Sequence, residues 1–183
     1  MRGRGLLPVS LVATLLAACS IASVETPDPA AIPSGSLVPL GGEEATGPIT
    51  ELGTGGEADG HGWRYSIFPS GDSWCTQLEM AGVASTGCGD LLPIGDAAFG
   101  SVGVSSTEPG DVQVVEGVAS EDTFTVWVIE NESQRRFPAT LMPLDPAGLD
   151  GVAFVFVAPP DFDPTHVQAM ASSGEVLETY ELP

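Results

Sequence analysis

Lysine is absent from this chain of 183 residues, and only five arginines stand against 25 acidic residues. Such a surface repels the phosphates of nucleic acids and of anionic lipids, which excludes nucleic-acid binding and charge-driven membrane association. The plainest use of the acidity is solubility. Aromatic residues are missing before Trp63, so the core has to begin near that position. Beyond the N-terminal run no stretch shows a convincing i, i+3, i+4, i+7 apolar pattern over ten or more residues, which argues against a helical architecture. The one extended apolar run, Leu6 to Ala18, has 13 residues and is too short to cross a bilayer as a helix. Cysteine occurs three times and histidine twice, so a metal site built from those residues alone has little to draw on.

What stands at the N-terminus is more informative. Arg2 and Arg4 form a basic start, the apolar run follows, and it closes on Leu16-Ala17-Ala18-Cys19. That arrangement resembles the lipobox of bacterial lipoproteins. The resemblance implies a signal peptide over residues 1–18, cleavage before Cys19, and diacylglycerol on its thiol. Acyl chains at ~0.8 kcal/mol per buried CH₂ then hold the protein on the extracytoplasmic face of the cell membrane. Residues 19–48 carry Pro27, Pro29, Pro33, Pro39 and Pro48 among glycine, serine and acids. They read as a disordered tether with an r.m.s. reach of roughly 30 Å. Beyond the signal peptide, Arg64, Arg135 and Arg136 are the remaining cations.

With Cys19 lipidated, Cys75 and Cys88 are left as an even pair in an oxidising compartment. A disulfide between them is expected, contributing on the order of 3 kcal/mol. Use as a metal pair finds no histidine or further cysteine nearby in sequence. A first short strand is expected at 49–52, and strand patterns over 63–68, 74–80, 112–119, 123–130, 135–142, 152–158, 166–171 and 175–181 alternate with turn-forming residues. Residues 53–62 and 82–89 read as loops of small residues. About eight short strands without intervening helices predict an all-β fold over residues 49–183, an antiparallel β-sandwich with immunoglobulin-like layering and one disulfide.

Gly62-Trp63, Trp74-Cys75 and Gly87-Cys88-Gly89, with a closing hairpin from Ala171 to Tyr180, resemble exported domains of high-GC Gram-positive bacteria. Those domains pair a W…C…CG half with a β-rich half and have no assigned chemistry. The resemblance implies the same fold and disulfide.

Gly71-Asp72-Ser73 and Asp163-Pro164-Thr165-His166 resemble, in order, two blocks of the GDSL hydrolases. Carried over, Ser73 is the nucleophile, His166 its base and Asp163 the group that orients the ring. Three departures argue against this. A strand and not a helix follows Ser73, the Gly-x-Asn-Asp block is missing, and the fold is not α/β. Asn131, the chain's single asparagine, sits in a hairpin turn. Asp59 and His61 lie in the glycine-rich 53–62 loop, and Asp161-Phe162-Asp163 lacks the spacing of a calcium loop. Trp63, Trp74 and Trp127 are candidate ligand-contacting aromatics, with core packing as their simpler use. No catalytic residue, metal or cofactor is therefore expected. The expected function is a lipid-anchored envelope module that binds or scaffolds an envelope protein or glycan. The alternatives are a carbohydrate-binding module and, behind it, a degenerate GDS-type esterase.

Overall fold

A computed structural model describes residues 43–56, 62–80, 83–107, 112–130, 133–159 and 161–183. The lipobox with Cys19 and the tether as far as residue 42 lie outside the described residues, as do Asp59, His61 and Asn131.

The described residues form an all-β, antiparallel sandwich of three four-stranded sheets. The N-terminal sheet is a meander of β1 (Thr50–Gly56), β2 (Gly62–Ser70), β3 (Ser73–Met80) and β4 (Val83–Gly89). The middle sheet takes β5 (Phe99–Thr107), β6 (Val112–Ala119), β9 (Thr140–Pro143) and β10 (Val152–Val157), in the order β5-β6-β10-β9. The C-terminal sheet holds β7 (Thr125–Ile129), β8 (Arg136–Pro138), β11 (His166–Met170) and β12 (Val176–Glu181), in the order β12-β11-β7-β8. Middle and C-terminal sheets together have the A-B-E-D and G-F-C-C′ strand order of an immunoglobulin-type domain, which fits the expected layering. The meander adds a third layer.

That third layer explains the composition of β6 and β10. A strand buried on one face alternates, whereas one buried on both faces reads as a nearly continuous apolar run. Val114, Val118, Ala153 and Val155 pack toward the N-terminal sheet, against Tyr65, Ile67 and Leu78. Val115, Ala119, Phe154 and Phe156 pack toward the C-terminal sheet, against Val126, Val128 and Val167. Gly117 is required between the layers of side chains. A Cβ there would lie 2.1 Å from the Ser101 carbonyl oxygen and 2.7 Å from the Phe154 ring.

The sequence pattern missed two strands and shortened a third. Residues 83–89, expected as a loop, form β4, paired to β3 along its whole length with Cys75 opposite Cys88. The disulfide is present, with Cα atoms 4.1 Å apart, as befits directly opposed residues of neighbouring strands. β5 was not marked by any apolar alternation, because Gly100, Gly103 and its serines supply none. β1 runs on through Gly53, Gly55 and Gly56, and bulk is excluded at the first two: Cβ atoms at Gly53 and Gly55 would strike Met142 and the Trp63 ring. In all three, register with a neighbour overrides weak strand propensity.

Candidate functional site

The N-terminal and middle sheets pack closely along one side and part along the other. On the close side β1 lies against β9, with Gly53 beneath Met142. On the open side the edge strands are β4 and β5, both built from glycine, serine and small aliphatics. Small side chains cannot fill the space between two layers held apart by the larger residues further in. The result is a cleft of about 240 Å³ lined by Tyr65, Thr76, Ser85, Leu91, Ser105 and Glu116, with Cys88 at its edge. A second cavity of about 240 Å³ shares Ser85 and Ser105 and continues past Leu78, Met80 and Val114. Each lies just under the range of small-molecule sites, roughly 300–1,000 Å³, and the two adjoin at Ser85 and Ser105.

Glu116 is the unexpected member. It lies on β6 between Val114 and Val118, on the face turned to the N-terminal sheet, so alternation alone places a carboxyl between the layers. Its Oε2 and the Tyr65 hydroxyl are buried, and neither has a hydrogen-bond partner of ordinary geometry. Burial raises the Glu116 pKa to about 7, and the hydroxyls of Tyr65 and Ser85 nearby offset only part of that rise. Burial, and after it the negative charge of Glu116, pushes the Tyr65 phenol well above its ordinary value. Native proteins rarely leave buried polar groups unpaired, and here two sit together at the wall of a cleft. The period-two reading did not single out Glu116; the signal for it was one charged residue on an otherwise valine face of β6.

The aromatic candidates are not gathered into one surface. Trp63 is buried, at 4% exposure, flat against Gly55. Trp74 is half-buried against the same core. Trp127 is on the C-terminal sheet, its ring covered by the Arg136 guanidinium at 5.0 Å.

The hydrolase-like residues are separated in the same way. Ser73 opens β3, paired with Ser70 across the β2–β3 turn, whereas His166 opens β11 between Ile129 and Glu181. Their sheets lie on opposite sides of the middle one. The His166 Nδ1 meets the Thr165 hydroxyl at 3.0 Å, and the Asp163 backbone N–H donates to Glu130 Oε1 at 2.9 Å. Glu130 also accepts from Arg135 Nε at 2.9 Å and Nη2 at 2.8 Å; these bonds with Arg135 lead the causes that hold its carboxyl below the usual range. Asp163 and His166 therefore serve a strap at the end of β7. The disulfide cysteines pin edge strand β4 to β3 at the cleft.

All three arginines of the described residues are committed. Arg64 pairs with Glu79, Arg135 with Glu130, and Arg136 stacks on Trp127. No group of three or more histidine, cysteine or acidic side chains suited to a metal occurs among the described residues. None of their helices is long and apolar enough to cross a membrane. Compared with protein-family models, curated proteins and solved structures, the chain matches none of them.

Proposed function

We propose that this chain is a lipid-anchored binding module of the bacterial cell envelope, held at Cys19 and taking a small molecule into the β4–β5 cleft. The observation that carries the binding half is a pair of buried heads at the wall of an open cavity, Glu116 Oε2 and the Tyr65 hydroxyl, neither with a hydrogen bond of ordinary geometry. Leaving either unsatisfied costs stability, and a ligand that completes their hydrogen bonds recovers it. Binding is favoured over catalysis because the serines of the cleft face a carboxyl and a phenol, with His166 on the far sheet. The anchoring half rests on Arg2, Arg4 and the Leu16-Ala17-Ala18-Cys19 box.

Each half has its own test. Cells fed labelled palmitate should label the wild-type protein, while Cys19→Ala remains an unlabelled precursor; equal labelling of both would remove the anchor. Gly87 lines the cleft, and a Cβ there stands 3.8 Å from the Thr76 hydroxyl oxygen, so a larger side chain fits the strand and fills the cavity. Protein isolated from its own envelope should carry a small molecule in native mass spectrometry, and Gly87→Val should lose it. An empty wild-type cleft under the same conditions would count against the binding reading.

A further inference from the structure

Resting on that reading, and narrowing it, we infer that the cleft takes an aliphatic primary amine, its ammonium against Glu116 and its carbon chain in the adjoining cavity. The acceptors arrive from three strands. Glu116 comes from β6, Tyr65 from β2 and Ser85 from β4, so oxygens from three separate strands line the one cleft. An ammonium carries three N–H donors in a tetrahedral fan and can divide them among oxygens from three strands, whereas a guanidinium spends its planar fork on a single carboxylate. Its charge also meets the one need of Glu116 that a neutral ligand leaves unmet, a counter-charge for a buried carboxylate.

No group within the described protein fills that need. The chain has no lysine, and Arg64, Arg135 and Arg136 are each held elsewhere by Glu79, Glu130 and Trp127. An anionic ligand would face both Glu116 and a formal charge of −20, whereas a cation is drawn in by it. A divalent metal would want several hard ligands, and Glu116 is the only carboxylate lining the cleft among the described residues. Past Ser85 and Ser105 the second cavity turns apolar at Leu78, Met80 and Val114, a lining for methylene groups.

The site has a defined pH response. From the N-terminal sheet Tyr65, Thr76 and Ser85 line the cavity that holds Glu116, and from its own sheet Ser101 and Ser105 do. Of these only Tyr65 titrates, well above neutrality. Amine affinity should therefore be full near pH 8 and fall through the Glu116 titration at about 7. Each further pH unit of acidification should weaken binding about tenfold.

Calorimetric titration of the full-length protein with n-hexylamine, hexan-1-ol and N-acetylglucosamine decides the matter, repeated with Glu116→Gln and Gly87→Val. Expected is n-hexylamine binding that releases about half a proton at pH 7, weakens roughly a hundredfold between pH 8 and pH 5, and falls at least tenfold in both variants. Amine binding indifferent to pH and to Glu116→Gln would overturn the inference. So would hexanol or the sugar binding as well as the amine, blocked by Gly87→Val but untouched by Glu116→Gln; that result keeps the cleft and discards the ammonium. Absence of binding by all three probes would overturn it too. Glu116→Gln replaces one planar group by another of equal size, so its folding is checked by an unchanged β-sheet circular dichroism spectrum.

Discussion

Glu116 makes the fold less stable than it could be, and the direction of the effect follows from its pKa. In the unfolded chain a glutamate titrates near its ordinary value, ~4.3, whereas burial in the folded state raises it to about 7. The folded protein thus holds this proton more tightly. Its contribution is fully present below the unfolded value and is lost as pH rises through about 7. The loss is on the order of 3 kcal/mol at pH 8, from ~1.4 kcal/mol per unit of displacement. Glu116→Gln, which cannot ionise, should match the wild type at pH 4 and exceed it by ~2–3 kcal/mol at pH 8 in urea unfolding. Equal stability of the two at pH 8 would mean that the carboxyl is solvated. A residue that costs this much is the kind of departure from good packing that binding sites contain.

Among the elements, β4 and β5 carry the site, and they were the least legible in the sequence. Alternation is read from bulky apolar side chains, and these strands hold glycine and serine where such side chains would stand. The smallness that hides them also opens the cleft. The disulfide was legible, because Cys75 and Cys88 form an even pair with no histidine or further cysteine nearby in sequence, and its place fixes what it can affect. Cys88 sits on edge strand β4, which has β3 as its only partner in the sheet. Reduction should cost about 3 kcal/mol of global stability by the loop-closure rule. It should also raise hydrogen exchange in residues 83–89 well before exchange in β6 or β10. Uniform acceleration across all sheets would show that the bridge holds the whole molecule and not the cleft's edge.

At the scale of the molecule, the all-β class was legible from period-two runs bounded by turns, while the number of layers was not. The clue lay in Val152 to Val157, an unbroken apolar run that a half-buried strand does not need. Trp127 and Trp63 report on opposite outer layers that share the middle sheet as their core. With both cores resting on β6 and β10, neither outer sheet can leave without exposing valines and phenylalanines of the middle one. Fluorescence of single-tryptophan variants at these two positions should then trace coincident urea transitions. Separate midpoints would divide the chain into two folding units.

The cleft and its proposed ligand both depend on one carboxyl being buried without a counter-charge. That is measured directly by following the side-chain carboxyl carbon of Glu116 in ¹³C-labelled protein by NMR as pH is varied, with Glu116→Gln identifying the resonance. A midpoint at about 7 is expected, moving down when n-hexylamine is added. A midpoint at the ordinary glutamate value, near ~4.3 and unmoved by the amine, would contradict both the burial and the site.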